Sequence, residues 1–136
     1  MYSHWLRIND DKGRQDFILE EDFYALGRDH ECNIRIHSRF ASRHHAILTR
    51  YAQNNQVYYQ IEDGDGRGKL SANGLLINDQ KKQKHILKDG DKIVFGPEVF
   101  GVYYYRDPEL REKSFKSIHF LEYESDTTQQ FEGDPE

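Results

Sequence analysis

The chain has 136 residues and a net charge of −5, which is long enough for one domain that buries a core without disulfides or metals. The negative charge argues against the sequence-independent attraction of a basic domain to nucleic acid. The single cysteine, Cys32, excludes an intramolecular disulfide and favours a reducing compartment. Neither a signal peptide nor an apolar run of about 20 residues is present. We therefore expect a cytoplasmic protein without nucleic-acid or membrane partners.

The first half of the chain is a series of short strand candidates separated by turn-forming residues. Residues 5–8, 17–19, 23–26 and 33–36 are each short and rich in β-branched or aromatic side chains. Residues 33–36 alternate, which places Ile34 and Ile36 on one face. In residues 44–51, His45 and Ile47 share one face.

The second half continues the same pattern. Strand candidates are residues 57–61, 75–77, 83–87, 93–95 and 99–105, with a glycine-rich loop at residues 63–69. We expect residues 75–77 to be a buried strand. About ten short strands at spacings of about 8–12 residues, with no sustained helical period before residue 106, predict an all-β sandwich or barrel.

The composition changes after Arg106. Residues 107–113 have Pro108 at a helix-start position, and residues 117–123 fit either a strand or a helix. Residues 124–136 are acidic and rich in Gln, Thr, Gly and Pro, which is typical of disorder. We therefore divide the chain into a domain at residues 1–106 and a partly disordered acidic extension at residues 107–136.

Two motifs before the middle of the chain carry groups that suit an anion. Gly27 permits a tight backbone path at a strand end, and Arg28 after it can present two donors to a phosphate or carboxylate. Ser42 and Arg43 lie in a loop before a strand, where a hydroxyl, a cation and free backbone N–H groups can surround an anion. Taken separately, these pairs are equally typical of a surface arginine and an ordinary turn.

The adjacent histidines do not predict a metal site, because neighbouring strand residues point to opposite faces. We expect His45, on the face of Ile47, to be buried and hydrogen-bonded. Cys32 is best interpreted as a buried structural thiol.

Downstream, Asn73 and Gly74 follow the glycine-rich loop. The Asn73 amide can donate to and accept from an extended peptide backbone, and Gly74 can supply a positive φ. Residues 63–74 lack the ligands of a calcium loop, and their glycines do not match a nucleotide-binding motif. No nucleophile and base are suggested, so we expect neither an enzyme nor a cofactor.

Taken together, the chain resembles the forkhead-associated (FHA) domain family. The resemblance rests on five motifs in order, within residues 5–105: residues 25–28 (Ala-Leu-Gly-Arg), 32–36, 41–46 (Ala-Ser-Arg-His-His-Ala), 71–78 and 87–96. It implies a β-sandwich of about eleven strands that binds phosphothreonine peptides through loops at one end.

The resemblance also implies a role for each matching position. Arg28 would contact or organise the phosphate site, Ser42 would hydrogen-bond the phosphate, and Arg43 would be a further donor. His45 would brace the binding loops, with Gly27 as a second structural support of the site, while Asn73 would hold the peptide backbone in a loop shaped by Gly74. Arg39 and Phe40 would contribute to peptide selectivity. Ala72 departs from the pattern, since many members carry a hydroxyl residue there, and the loop at residues 64–69 is longer than usual.

The expected function is phosphothreonine-dependent protein–protein interaction in kinase signalling, with a Ser/Thr kinase or its substrate as partner. The alternative is a scaffold or oligomerisation domain of the same fold that binds no phosphate. Thr127 and Thr128 lie in an acidic segment that a kinase could reach. If phosphorylated, they could occupy the site of their own chain or of a neighbour.

Overall fold

A computed structural model describes residues 2–107. Within these residues the chain forms eleven β-strands and no helix, which confirms the predicted all-β fold. The strands are β1 Ser3–Asp10, β2 Gly13–Leu19, β3 Phe23–Gly27, β4 Ile34–Arg35, β5 Ala46–Gln53, β6 Gln56–Asp63, β7 Leu76–Ile77, β8 Gln80–Lys81, β9 Lys84–Ile86, β10 Lys92–Gly96 and β11 Val99–Arg106.

The strands form two sheets, as the predicted sandwich requires. The six-stranded sheet has the order β2-β1-β11-β10-β7-β8, and the five-stranded sheet has the order β4-β3-β5-β6-β9. Strands β3 and β4 pair in parallel, whereas the pairs β1–β2, β3–β5, β5–β6, β6–β9, β7–β8, β7–β10 and β10–β11 are antiparallel. The compact body that they form spans His4–Tyr105.

Local sequence explains the tight hairpins. Asn54 and Asn55 connect β5 and β6 with positive φ values of 52° and 63°. Asn78 and Asp79 connect β7 and β8 in the same way, with φ values of 51° and 71°. Two consecutive positive φ values are characteristic of the type I′ turn, whose twist matches that of the flanking strands. Asn and Asp adopt positive φ values more readily than most residues.

The core lies between the sheets and is built from alternate strand residues. Leu6 and Ile8 of β1, Leu48 of β5 and Ile61 of β6 are all fully buried. Ile34 and Ile36 are both buried while Arg35 between them is exposed, so the two isoleucines share one face, as predicted. The prediction for residues 75–77 was only partly right.

In that segment, Leu75 and Ile77 are buried but Leu76 is 37% exposed. The reason is the strand period: Leu76 lies in β7 with its side chain on the outer face, and Ile77 beside it points inward.

His45 is completely buried, but not for the reason that the sequence suggested. The inward residues of β5 are Ala46 and Leu48, whereas Ile47 lies on the outer face and is only partly buried. The prediction that His45 lies inside because it shares a face with Ile47 is therefore wrong. Strand β5 begins after His45, so the turn before the strand directs this side chain inward.

Several predictions fall outside the described residues. These are the structure of residues 108–123, the disorder of residues 124–136, and the candidate phosphorylation sites Thr127 and Thr128. The division of the chain between residues 106 and 107 remains a prediction for the same reason.

Candidate binding site

Three loops meet at one end of the sandwich, and a glycine allows the closest contact between two of them. A Cβ atom on Gly27 would lie 2.0 Å from the backbone oxygen of Arg43 and 3.0 Å from that of Ser42. Such distances are far inside van der Waals contact, so no side chain fits at Gly27. The end of β3 therefore packs backbone to backbone against the loop that carries the predicted serine.

Backbone hydrogen bonds hold this contact in place. The Arg28 N–H donates to the Ser42 carbonyl at 2.9 Å, and the Asp29 N–H donates to the Arg43 carbonyl at 3.3 Å. The Arg28 side chain adds a bond from its Nε to the carbonyl of Ala41 at 3.0 Å. Arg28 thus organises the loop with one nitrogen and leaves its two terminal nitrogens for a ligand.

Cys32 supports the same loop from below. The thiol is 8% exposed, and its Sγ lies 3.3 Å from the carbonyl oxygen of Arg43. Burial, reinforced by the nearby Asp29 carboxylate, raises the pKa of Cys32. A buried thiol held protonated is a poor nucleophile, as expected of a structural residue.

His45 connects the second loop to the third. Its Nδ1 accepts the Ser42 N–H at 3.0 Å, and its Nε2 lies 2.8 Å from the carbonyl oxygen of Gly74. A carbonyl can only accept, so the histidine is the neutral tautomer that carries its proton on Nε2. Burial lowers the pKa of His45, which favours this neutral form. The Phe95 ring packs edge-on at 5.3 Å.

Ser42 is oriented by its neighbours rather than left free. Its Oγ accepts the backbone N–H of Ala72 at 2.8 Å, so the hydroxyl hydrogen remains available to donate to a ligand. Of the backbone N–H groups that were predicted from the sequence to be free in this loop, that of Ser42 is not, because His45 accepts it. The hydroxyl, not the amide, is the group that Ser42 offers.

Asn73 links the third loop back to the second. Its Nδ2 donates to the carbonyl of Phe40 at 2.8 Å, which leaves its Oδ1 to accept from an incoming peptide N–H. A Cβ atom on Gly96 would lie 2.9 Å from the Phe40 Cβ and 3.1 Å from the Asn73 Nδ2. Gly96, at the end of β10, therefore makes room for this contact.

Gly74 has a φ of +74°, a conformation that glycine adopts without strain. Its N–H donates to the Ser71 Oγ at 2.8 Å, and the Ser71 N–H donates to the buried Asp63 carboxylate at 3.2 Å. Ser71, Asp63 and Gly96 are residues of the site whose roles were not predicted from the sequence. Gly96 lay within a quoted motif, but nothing in the sequence pairs Asp63 with Ser71.

The remaining predicted residues lie beside these loops. The guanidinium of Arg39 lies 4.9 Å from the centre of the Phe40 ring, which stabilises an exposed cation against an aromatic face. Arg43 is exposed. Within residues 2–107, neither Arg28 nor Arg43 forms an ion pair with a carboxylate. Two guanidinium groups without a direct ion pair therefore belong to the loops around the Ser42 hydroxyl, and the charge of Arg43 acts on the Asp29 carboxylate.

The carboxylate of Asp29, the residue after Arg28, is engaged with other neighbours. Asp29 pairs with His30 at 3.3 Å and lies 3.8 Å from His44. A hydrogen bond from the Glu31 N–H lowers the pKa of Asp29, and the charges of His30, His44 and Arg43 act in the same direction. Asp29 therefore stays ionised, but its oxygens are taken by these neighbours and not by Arg28.

Within residues 2–107, no three His, Cys, Asp or Glu side chains are placed to hold a metal ion. The described part of the chain also contains no helix long and apolar enough to cross a membrane. His44 and His45 diverge as expected, since His44 is exposed and His45 is buried.

Comparison with known proteins identifies the family. Residues 24–96, more than half of the chain, match the model of the FHA domain. The chain belongs to the FHA domain family. The matched residues extend from β3 to the end of β10 and include every loop of the site.

Three similar proteins place the chain among its relatives. The uncharacterised protein sll1895 of Synechocystis sp. is 32% identical over 82 residues, which are 60% of this chain and 12% of that protein. The chain thus spans about an eighth of the length of this curated relative. The Slr1951 protein from Synechocystis sp., known from a crystal structure, is 48% identical to this chain in sequence. Its structure matches with a TM-score of 0.74 over 76% of this chain and 99% of that one.

The third is the yeast Dun1 FHA domain, solved in complex with a doubly phosphorylated phosphothreonine peptide derived from Rad53. It is 18% identical, with a TM-score of 0.58, and the match covers 98% of this chain and 88% of that one. At this identity, the likeness concerns the fold.

Proposed function

We propose that this FHA domain binds phosphothreonine-containing peptides at the loop end of the sandwich and acts as a signalling adaptor. One observation carries the proposal: Arg28 and Arg43, which form no direct ion pair with a carboxylate of residues 2–107, belong to the loops around an oriented Ser42 hydroxyl. Such a set favours a small, highly charged anion, and the Asn73 amide suits the peptide backbone next to it.

The charge of the ligand decides the selectivity. A phosphorylated threonine carries between −1.5 and −2 charges at about pH 7 and three acceptor oxygens. Each charge-assisted hydrogen bond contributes roughly 1.5–3 kcal/mol. Two or three such bonds from Arg28, Ser42 and Arg43 would separate a phosphorylated peptide from its unmodified form by several orders of magnitude in affinity.

The partner that this site fits is a protein with an exposed phosphothreonine, such as a Ser/Thr kinase or its substrate. A phosphothreonine peptide is the ligand in the Dun1 complex, which supports the same ligand class here. Preference for threonine over serine would follow if the extra methyl group enters a small apolar pocket, at about 0.8 kcal/mol for one buried carbon. Arg39 and Phe40 border the site and are our candidates for reading the residues after the phosphothreonine.

Calorimetric titration with a degenerate phosphothreonine peptide library tests the proposal. Matched libraries carry phosphoserine or unmodified threonine. We expect binding of the phosphothreonine library alone, with a loss of at least about 100-fold for Arg28→Ala, which corresponds to two charge-assisted bonds. Arg67→Ala is the matched control, because Arg67 is an exposed arginine in the glycine-rich loop, and it should bind as the unmodified protein does.

Equal binding of all three libraries would refute the adaptor hypothesis and favour the phosphate-independent scaffold. Unchanged affinity of Arg28→Ala would remove the proposed phosphate site. Ala72, which lacks the hydroxyl common at this position in the family, is the one local feature that favours the scaffold.

The C-terminal segment supplies a candidate ligand within the chain. Thr127 and Thr128 lie among acidic residues, outside the described part of the structure. We propose that either threonine, once phosphorylated, competes for the site in its own chain or in a neighbouring copy. Phosphorylated full-length protein should bind an external phosphopeptide more weakly than the Thr127→Ala/Thr128→Ala protein treated with the same kinase. Equal affinities would refute this.

A further inference from the structure

The chain has one Asn-Gly pair, and it lies in the binding site. Of the six asparagines, only Asn73 is followed by glycine. Asparagine is a thermally labile residue, because the backbone nitrogen of the next residue can attack the carbon of its side-chain amide. Glycine has no Cβ atom to hinder this attack. The sequence therefore makes Asn73 the asparagine with the greatest intrinsic reactivity.

The fold requires both members of this pair. Gly74 has a φ of +74°, and a Cβ atom there would lie 3.2 Å from the Cε of Lys81. Any other residue would thus be strained in its backbone and crowded by a side chain. Asn73, in turn, donates from its Nδ2 to the Phe40 carbonyl at 2.8 Å. The reactive pair is therefore part of the architecture of the loop.

The structure restrains both reacting groups. The attack requires the Gly74 nitrogen to give up its hydrogen, yet this N–H donates to the Ser71 Oγ at 2.8 Å. The attack also requires the Asn73 amide to turn towards that nitrogen, yet the amide is bonded to the Phe40 carbonyl. Each hydrogen bond must open before the two groups can meet, just as a bonded backbone amide must open before it exchanges its hydrogen.

Ser71 holds the attacking nitrogen from a fixed position. Its N–H donates to the Asp63 carboxylate at 3.2 Å, and Asp63 is only 7% exposed. One serine thus connects a buried carboxylate to the Gly74 N–H. Ser71 is not among the groups that we propose to contact phosphate, so a change of its side chain tests the restraint on Gly74 by itself.

We propose that Asn73 is a site of spontaneous deamidation and that the Ser71 hydroxyl controls its rate. First, the Gly74 nitrogen bonds to the Asn73 Cγ, the Cγ–Nδ2 bond breaks, and the hydrogen of the Gly74 nitrogen passes through water to the departing ammonia. Water then opens the resulting cyclic imide. Addition at Cγ gives aspartate, whereas addition at the backbone carbonyl carbon gives isoaspartate. Water is the only co-reactant, and nothing is oxidised or reduced.

Either product would change the binding site. Aspartate has no N–H for the Phe40 carbonyl and adds a negative charge to the loop whose Ala72 N–H contacts Ser42. Isoaspartate also adds a carbon atom to the backbone before Gly74. If the proposed function holds, both products weaken phosphopeptide binding, and the site is lost as the protein ages. The deamidation itself goes beyond the proposed function and does not depend on phosphate binding.

Storage of the unphosphorylated full-length chain, followed by proteolysis and mass spectrometry, tests the inference. Chromatography separates the peptide that contains residue 73 into its amide, aspartate and isoaspartate forms. In denaturing urea, Asn73 should react faster than the other asparagines, such as Asn54 in the β5–β6 turn. In the folded protein at the same pH and temperature, it should react roughly 30-fold more slowly than in urea, the factor for two hydrogen bonds of about 1 kcal/mol each.

Variants at position 71 identify the controlling hydrogen bond. Ser71→Ala removes the acceptor of the Gly74 N–H, so deamidation of the folded protein should rise roughly fivefold, the factor for one such bond. Ser71→Thr keeps a hydroxyl and should react at the rate of the unmodified protein. Ser3→Ala is the matched control, since Ser3 lies in β1, outside the binding loops. Circular dichroism establishes that each variant is folded, and Asn54 should react at the same rate in all of them.

An Asn73 that stays intact in urea while other asparagines react would overturn the assignment of the site. Equal rates in the folded and unfolded protein, or an unchanged rate in Ser71→Ala, would overturn the control by hydrogen bonding. A rate in Ser71→Thr as high as in Ser71→Ala would also overturn it, because the hydroxyl would then not matter. These measurements contain no phosphopeptide, so this inference and the proposed function fail separately.

Discussion

The loop end of this FHA domain, which carries Arg28, Ser42 and Asn73, and the outer face of its five-stranded sheet are built in opposite ways. The part of that outer face called the sheet face consists of Phe23, Thr49, Tyr51, Tyr58, Gln60 and Ile86. At the loop end, the groups that would meet a ligand are held by residues that would never touch it. Gly27 lets two backbones touch, and His45 spans two loops through two hydrogen bonds. On the sheet face, side chains simply stand on strands whose hydrogen bonds are made by the backbone. The difference teaches that binding at the loop end requires particular residues behind the surface, whereas the sheet face depends on the surface residues alone.

Gly27→Ala should break the loop end most severely. The new Cβ would lie 2.0 Å from the Arg43 carbonyl oxygen, so either the loop or the end of β3 must move. We expect a loss of more than about 3 kcal/mol of stability and no measurable phosphopeptide binding. Thermal unfolding and calorimetry measure the two effects.

Gly13→Ala is the control for that change. Gly13 has a φ of +96°, but a Cβ there would meet nothing within 4 Å. Its cost should be only about 1–2 kcal/mol for the left-handed backbone, with phosphopeptide affinity unchanged. Equal losses in the two variants would mean that the close contact at Gly27 does not matter.

Asn73→Asp should weaken binding without unfolding the protein. Aspartate has no N–H to donate to the Phe40 carbonyl, which Asn73 contacts at 2.8 Å, and its charge opposes the phosphate. We expect a loss of about 2 kcal/mol in binding, or roughly 30-fold in affinity. The same change at Asn54, in the β5–β6 turn, should leave affinity intact, and a loss there would indicate a general charge effect.

The loop end should be less stable in mild acid because of His45. Burial lowers its pKa in the folded state, so the unfolded chain takes up a proton first. Stability is therefore complete above the unfolded value of about 6.5 and falls as the pH drops from there towards the lowered folded pKa. Thermal unfolding between about pH 8 and pH 5 should show this dependence.

Histidine variants show which residue causes this pH dependence of stability. His45→Gln should be less stable than the unmodified protein at neutral pH but show a smaller loss on acidification. The exposed His44, replaced by Ala, should keep the original pH dependence. His4 contributes in the same direction, because burial and the charge of Arg50 lower its pKa, so some dependence should persist without His45. A pH profile unchanged by His45→Gln would exclude His45 as its source.

Ala72→Thr should improve the site modestly. The Ala72 N–H already donates to the Ser42 Oγ at 2.8 Å, so a hydroxyl at this position would stand beside the phosphate-binding serine. One additional hydrogen bond predicts roughly threefold tighter phosphopeptide binding. Ala52→Thr, at an exposed position near the far end of β5, is the control. A loss of affinity in Ala72→Thr would show that the loop has adapted to alanine.

Thr49→Ser should have the smallest effect, and it tests the other half of the comparison. Thr49 lies at the centre of the sheet face and is only partly buried. Loss of one methyl group should change stability by less than about 1 kcal/mol and leave phosphopeptide affinity unchanged, as calorimetry can verify. A change in affinity would show that the two regions are coupled.

Much of this protein could be predicted from the sequence, because the relevant signals are local. The period of two in residues 33–36 predicted that Ile34 and Ile36 share one face. The five ordered motifs predicted the family, which the match at residues 24–96 confirms. The roles of Arg28, Ser42, Arg43, Asn73 and Gly74 remain predictions that the titrations above test.

What the sequence determined by itself is the family and ten of the eleven strands, all but β8 (Gln80–Lys81), since each depends on residues close together in the chain. Only the tertiary structure showed why His45 is buried, which group of Ser42 is free, and that Ser71 rests on Asp63. It alone also brought Phe23, from the third strand, into one row with Ile86, from the ninth. The physical reason is register: which residues meet across a sheet or between loops depends on how distant segments pair, and no local pattern encodes that pairing.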